Sequence, residues 1–599
     1  MLENKQIIKY KNIFTIMGND ELIKSVTAKA TTWLSADYDE ATRAEVQKML
    51  DSEDKTELIE CFYKDLEFGT GGLRGVIGAG SNRLNVYTVR KATQGLANFI
   101  IKEGAQDKGV AIAFDSRRMS PEFSKEAALC LNANGIKTYR FDTLRPTPEL
   151  SFALRELGCV AGIVITASHN PPEYNGYKVY WQDGAQITAP KDKQIITEVN
   201  NVTDLSQVKT MDEAAAVEEG LYHTIGEEID DKYIEALKKQ IIHPEYIEKA
   251  AEDIKIVYTP LHGTGNLPVR RVLKELGFKK VYVVPEQELP DGNFPTVSYP
   301  NPEDPKAFEM ALALAKEVGA DIVLATDPDA DRLGVYAKDT STGEYVSFTG
   351  NMSGMVIAHY ILSQRKENGT LPANGALVKT IVTTNMADVL ADDYNVKLIE
   401  VLTGFKYIGE QIKFFEEQNT YEYVFGLEES YGCLVGTHAR DKDAVVAVMA
   451  LCEVAAFCKL NNKTLWDQMI EIYEAYGYFK EDLKSITLKG IDGVEKIQAM
   501  MNDLRENPVE SFGDFKVLSV RDYKKNTILN MADGSVTETG LPNSNVIYYD
   551  LADNGWCCAR PSGTEPKIKF YMGVKGTSLE DSEVKLAALT DALMKRIGQ

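Results

Sequence analysis

The chain has 599 residues, of which 44% are hydrophobic and 26% charged, with a formal net charge of −23. At roughly 100 to 200 residues per domain that length exceeds a single core, and the acidic balance excludes a general affinity for nucleic acid or an anionic membrane. The eight cysteines contain no C-x-x-C pair, and Cys557 and Cys558 are adjacent, which excludes a zinc knuckle and a regular disulfide framework.

The opening stretch, MLENKQIIKYKNIFTIMGNDELIK, lacks the unbroken apolar segment of a signal peptide. No apolar run reaches the roughly 18 residues of a membrane span, so a cytoplasmic protein with no membrane association is expected. An amphipathic region of about 60 residues, DELIKSVTAKATTWL through AEVQKMLDSEDKTELIECFYKDL, then predicts helices at 3.6 spacing. After it a theme repeats: a short β-rich run, a polar loop and a helical pattern. The runs are GVAIAFD (109–115), CVAGIVIT (159–166), DIKIVYTP (253–260), DIVLATD (321–327) and ALVKTIVTT (376–384). Such alternation predicts parallel α/β sheets built from βαβ units. GEEIDDKYIEALKKQ offers a bridging helix at the first restart, and the texture changes to shorter, mixed segments near 470. The expected domains are therefore 1–232, 233–345, 346–470 and a smaller α+β domain at 471–599.

Four loops carry chemistry. VITASHNPPEYNGYK (164–178) sets Ser168, His169 and Asn170 at the carboxyl end of an apolar strand, where open parallel sheets keep their sites, and then turns on Pro171 and Pro172. The same residues make an ordinary surface turn. No G-x-S-x-G elbow surrounds Ser168, which disfavours a hydrolase dyad, whereas a nucleophile or phosphoryl carrier with Lys178 nearby stays open. ATDPDADRLG spaces Asp327, Asp329 and Asp331 by two. Three carboxylates on one tight loop repel each other unless a cation lies between them, and hard oxygen ligands point to Mg²⁺ or Ca²⁺. Counting from Asp327, an EF-hand would need Gly and Glu where Arg332 and Lys338 stand. Mg²⁺ is preferred because a phosphate oxygen can complete its shell, the plain alternative being a solvated charge run.

VFGLEESYGCLVG places Glu428 and Ser430 either at a helix start or ready to hold sugar hydroxyls, which need donors and acceptors. CARPSGTEPKIKFY gathers Arg560, Ser562, Gly563, Thr564 and Lys569, which suit a phosphate dianion better than a plain Ser-Gly turn; no Walker A pattern is present.

These four loops in this order, together with FGTGGLRG (68–75), resemble the α-D-phosphohexomutase superfamily, the phosphoglucomutases and phosphomannomutases, over nearly the whole chain. The resemblance implies an α/β fold of four domains around a deep central cleft, three with mixed, mostly parallel sheets and a smaller, mobile C-terminal α+β domain. It implies that Ser168 carries the phosphoryl group, that His169 and Asn170 shape its loop, and that Lys178 is the general acid/base. Asp327, Asp329 and Asp331 would hold Mg²⁺ with a phosphoserine oxygen of Ser168, while Arg74 and Arg332 balance charge. Thr403, Gly404 and Lys406 in TGFKY would sense sugar orientation, Glu428 and Ser430 clamp hydroxyls, and Lys442 in RDKD adds a contact. Arg560, Ser562, Gly563, Thr564 and Lys569 would hold the phosphate that is not reacting.

The implied reaction interconverts glucose 1-phosphate and glucose 6-phosphate through glucose 1,6-bisphosphate, which serves as intermediate and activator. The implied partner is a small-molecule sugar phosphate, and the expected state is a monomer or weak homodimer. GLEESYG is similar to the Glu-Glu-Ser form of phosphoglucomutases, whereas TGFKY and RPSGTEPKIK resemble the long branch with phosphopentomutases and glucose-1,6-bisphosphate synthase-like proteins. Gly71 stands where many relatives have Ser. Mannose or pentose phosphate are the alternative substrates; a Mg²⁺-dependent sugar phosphatase and a non-catalytic sugar-phosphate-binding protein are the readings from other classes.

Overall fold

Four β-sheets succeed one another along the chain in a computed structural model that describes residues 19–69, 71–488, 491–562 and 567–598. Three helices precede them, Asn19–Thr32, Glu40–Asp51 and Thr56–Phe62, as the amphipathic spacing predicts. Leu22, Val26, Trp33, Val46, Met49, Ile59 and Phe62 close a small core there with Tyr87, and the Asp39 side chain caps the second helix by accepting from the Thr42 N–H.

The first sheet runs, edge to edge, through Gly72–Val76, Tyr174–Trp181, Ala161–Ile165, Val110–Phe114, Thr138–Phe141 and Tyr222–Ile225. Its first two pairings are antiparallel and the rest parallel. Val110–Phe114 and Ala161–Ile165 are buried at every position, the pattern of strands covered on both faces. The second sheet orders Tyr345–Phe348, Leu333–Lys338, Ile322–Thr326, Lys255–Thr259 and Lys280–Val283, and the third orders Lys397–Val401, Gly375–Thr380, Glu422–Glu428 and Gly432–Val435. Both are mixed. The fourth is antiparallel, with Tyr478–Thr487, Lys567–Gly576, Trp556–Pro561, Ile547–Leu551 and Phe515–Asp522 as its successive strands.

One apolar cluster threads the first three sheets, from Ala111 and Tyr180 through Leu324 to Val378 and Val448, so these units share a core. The bridging helix is Glu227–Lys238, with Ile229, Tyr233, Ile234 and Leu237 buried. The boundary expected at 345 falls inside the strand Tyr345–Phe348, and that at 470 inside the helix Leu465–Tyr476. We propose divisions after Phe348 and Tyr476 instead. The strand expected over 376–384 stops at Thr380. Thr383 N–H closes a turn on Thr380 C=O at 3.0 Å, and Ile381 and Val382 leave the sheet to pack against Tyr523, Tyr548, Trp556 and Tyr571 of the fourth. Apolarity there serves a junction between sheets. Among the described residues no single helix is long and apolar enough to cross a membrane.

Candidate active site

Ser168 follows the strand Ala161–Ile165 directly and sits in the left-handed region at φ 52°, a conformation that costs a non-glycine residue free energy and so needs support. Support comes from two sides. The Ser168 N–H donates to Thr166 Oγ1 at 2.8 Å. From the neighbouring strand end, Arg117 donates to the carbonyls of Ser168 and Asn170, and also to those of Pro171 at 2.9 Å and Tyr174 at 3.1 Å. The guanidinium is fully buried and lies 3.3 Å from Asp115. One rigid fork of donors therefore fixes the whole loop.

The second unit delivers the aspartates to the same point. Asp327, Asp329 and Asp331 are buried on the loop after Ile322–Thr326, with ligand oxygens all within 4.8 Å of one another. Ser168 Oγ donates to Asp327 Oδ2 at 2.7 Å across 159 positions of chain. Thr147 Oγ1 donates to Asp329 Oδ2 at 2.9 Å, and the Thr147 N–H to the Asp329 carbonyl at 3.0 Å. Lys178 Nζ lies 2.8 Å from Asp329 and 3.7 Å from Asp331. Lys442 Nζ lies 3.3 Å from Asp331, 3.2 Å from Asp441 and 3.7 Å from Glu428, tying the third unit in.

These residues fit a hard cation. Asp329 Oδ1 and Asp331 Oδ1 are buried with no hydrogen-bond partner among the described residues, an expensive state for a carboxylate unless an ion takes the lone pairs. Burial, and after it the other two carboxylates, pushes Asp327 well above the usual carboxylate range. Burial and then Asp329 raise Asp331 as well. Burial also opposes the Asp329 charge, but Lys178 beside it outweighs that and holds the group below its ordinary value. For Lys178 burial opposes the ammonium, and Asp329 with Asp331 more than compensate, raising it. His169, whose Nδ1 is 3.2 Å from Ser168 Oγ, is pushed well below its ordinary value by burial and by Arg332 and Arg74, so its ring is neutral.

Two adjoining cavities open from this junction. The smaller, about 270 Å³, is walled by Ser168, Lys178, Lys442, Asp331 and the Gly71–Arg74 segment. The larger, about 630 Å³, is walled by Thr403, Gly404, Glu428, Ser430, Arg560 and Lys569. Arg74, His169 and Arg332 line both. Ser430 Oγ donates to Glu428 Oε1 at 2.8 Å. Arg560 and Lys569 are cross-strand partners, which sets two cations side by side. Burial, and then Arg560, lowers Lys569; an anion between them relieves that repulsion.

Two residues expected at the site lie off its walls. Lys406 belongs to the helix Phe405–Gln418, lies over the Tyr407 ring and lines neither cavity; burial lowers it against the opposing charges of Asp192 and Glu410. Ser562 donates its N–H to the Lys567 carbonyl at 2.7 Å and is not on either wall. Gly563 and Thr564 lie outside the described residues. The sequence reading missed Arg117, Thr147, Glu303, Tyr180 and Asp441. Glu303 pairs with Arg332 at 2.7 Å, and Tyr180 donates to Asp441 at 2.7 Å. Arg117 had a signal, an Asp-Ser-Arg at the end of the apolar run GVAIAF; Thr147 had none.

Fold and site together define an enzyme in which α/β units bring a buried serine, a carboxylate trio suited to a cation and two anion-suited chambers to one junction. Residues 65–206, 231–342 and 349–476 match the families described as phosphoglucomutase/phosphomannomutase, alpha/beta/alpha domains I, II and III. The phosphoglucomutases of Staphylococcus aureus strains MRSA252 and USA300 are each 36% identical over 545 residues, covering 91% of this chain and 96% of theirs. A phosphoglucomutase/phosphomannomutase family protein of Burkholderia thailandensis has the same fold, with a TM-score of 0.60 at 20% identity over 89% of this chain and 97% of that one. So does the Paramecium exocytosis-sensitive phosphoprotein parafusin, a phosphoglucomutase in an open form, with a TM-score of 0.65 at 18% identity over 89% and 95%. The chain belongs to the phosphoglucomutase/phosphomannomutase family of α-D-phosphohexomutases, and is a mutase of the intramolecular phosphotransferase type.

Proposed function

We propose that this enzyme interconverts glucose 1-phosphate and glucose 6-phosphate through phosphorylated Ser168 and a bound glucose 1,6-bisphosphate. The observation that carries the reading is the 2.7 Å hydrogen bond from Ser168 Oγ to Asp327, which joins carrier and carboxylate trio across two units. The glucose preference draws on the phosphoglucomutase relatives and on Glu428-Glu429-Ser430.

Asp327, Asp329 and Asp331, with an oxygen of phosphoserine 168, would hold Mg²⁺, which when bound offsets the negative charge of the transferring group. The sugar hydroxyl attacks phosphorus as the bond to Ser168 Oγ breaks. The attacking oxygen loses a proton and the departing serine oxygen gains one; Lys178, in the same chamber, is the residue we assign to that exchange. Arg74 and Arg332 face the group between the chambers. Thr403, Gly404, Glu428 and Ser430 hold the sugar, and Arg560 and Lys569, completed by Gly563 and Thr564, grip the idle phosphate. Because the bisphosphate turns over in place, each grip must accept either end of the sugar. We assign the protein to the cytoplasm, as a monomer or weak homodimer acting on small-molecule sugar phosphates.

The test compares rates on glucose 1-phosphate, mannose 1-phosphate and ribose 1-phosphate with Mg²⁺ and the matching bisphosphate, for the native enzyme and Ser168→Ala. Glucose 1-phosphate is expected to turn over fastest, with no turnover and retained substrate binding in the variant. Undiminished turnover by Ser168→Ala, or free phosphate as the main product, contradicts the reading.

A further inference from the structure

The motif FGTGGLRG contains a glycine that its backbone does not demand. Gly72 has φ 138° and suits only glycine, whereas Gly71 lies outside the positive-φ region. The group that a side chain at position 71 would displace is the Gln186 carboxamide. A Cβ on Gly71 would fall 2.3 Å from Gln186 Nε2 and 2.9 Å from its Cδ. Gln186 Nε2 donates to the Gly71 carbonyl at 3.1 Å, the same oxygen that accepts the Val179 N–H at 3.1 Å. That is the carboxamide's one hydrogen bond among the described residues. Gln186 reaches this place because the chain folds back after Tyr174–Trp181, bridging Tyr180 with Gln186 and returning the Ile187 N–H to the Val179 carbonyl. Gly71 and Gln186 thus meet on the wall of the chamber that holds Ser168 and Lys178.

We infer that Gly71 and Gln186 form one substrate-contacting device: the glycine clears the volume, and the Gln186 carboxamide hydrogen-bonds the sugar beside its reacting oxygen. The inference rests on the mutase reading. A bisphosphate that turns over in place presents two different neighbourhoods to Ser168. Beside O1 lie the ring oxygen and the 2-hydroxyl; beside O6 lie the ring oxygen and the 4-hydroxyl. A ring oxygen only accepts, while a hydroxyl donates and accepts. Arg74, Lys178, Arg332 and Lys442 in this chamber only donate and a carboxylate at Asp331 only accepts, so donor and acceptor are found together on the Gln186 carboxamide and on neutral His169, which already faces Ser168. A carboxamide carries donors and an acceptor in one plane, so the same side chain can serve either end of the sugar.

The test uses Gln186→Ala, Gly71→Ser and the pair together in the full-length enzyme, measuring kcat and KM from glucose 1-phosphate and from glucose 6-phosphate. Thermal melting and Ser168 phosphorylation by glucose 1,6-bisphosphate are followed alongside. Gln186→Ala is expected to lower kcat/KM about tenfold in both directions, the worth of one site hydrogen bond, and to slow Ser168 phosphorylation in step while its final extent and the melting temperature stay unchanged. Gly71→Ser is expected to match it by displacing the carboxamide. The double variant is expected to be no worse than either, since both remove the same contact. A Gln186→Ala enzyme within twofold of native, or a double variant whose losses multiply, overturns the inference alone. A native enzyme with no turnover of glucose phosphates instead defeats the proposed glucose phosphate reaction beneath it.

Discussion

Two junctions between units show opposite designs. Where the first unit meets the second, Ser168, Lys178 and Thr147 face Asp327 and Asp329 through hydrogen bonds and charge, and two carboxylate oxygens have no hydrogen-bond partner among the described residues. Where the third meets the fourth, Ile381, Val382 and Leu402 pack on Tyr523, Tyr548, Trp556 and Tyr571. The Trp556 and Tyr548 rings stack at 5.5 Å. At the edge of that contact Glu400 lies 3.7 Å from the buried Lys379 and 2.8 Å from Arg521, which also pairs with Asp550. The apolar contact of the second junction is closed by its own side chains, whereas the buried carboxylates of the first are suited to a cation. Function is concentrated where electrostatic strain is kept, and stability where apolar surface is buried.

The difference is broken most severely by removing a carboxylate. Asp329→Ala is expected to lower kcat by about a thousandfold, on the scale of losing an electrostatic stabiliser of the transition state, with a smaller loss of stability because buried Lys178 and Thr147 lose their partner. Steady-state kinetics beside calorimetry checks this; lost stability with retained turnover would reverse the assignment. Tyr548→Ala is the mirror experiment, at a ring of the same cluster that lines neither chamber. Truncating this buried ring is expected to cost about 3 to 5 kcal/mol in denaturant unfolding, with turnover retained while the protein stays folded. Arg117→Met comes between: the carbonyls of Ser168 and Asn170 lose their donor, and kcat is expected to fall about tenfold or more through displacement of the serine, with KM moving less.

The smallest expected effect is a slope with pH. Burial, and after it Glu428, raises Glu429 from 4.5 to about 7. A carboxyl raised in the folded state binds protons that the unfolded chain has already lost. Its contribution to stability is thus present at the acid end and declines as pH climbs from about 4.5 to about 7. Unfolding of Glu429→Gln across that window is expected to show a flatter dependence than the native enzyme; an unchanged slope contradicts the assignment to Glu429.

Much of this was legible in the sequence because it is local. The fully buried strands are continuous apolar runs, and both Ser168 and the aspartate trio follow such a run directly. Polar pairing across units leaves no such trace. Nothing near Thr147 announces Asp329, 182 positions away, and Arg117 grips carbonyls, which carry no side-chain signature. Ile381 and Val382 extend an apolar run that reads as strand, although their partners lie in the fourth sheet. The neighbours of Lys406 in TGFKY suggest a site residue, but it stands in the helix that begins at Phe405 and lies over the Tyr407 ring.

The most direct test of the central claim is the mass of the protein after exposure to glucose 1,6-bisphosphate and Mg²⁺, with peptide mapping of any added group. One phosphoryl group on Ser168, absent from Ser168→Ala and strongly reduced in Asp327→Ala, is the predicted result. Continued turnover with Ser168 unmodified and the group found elsewhere would contradict the account.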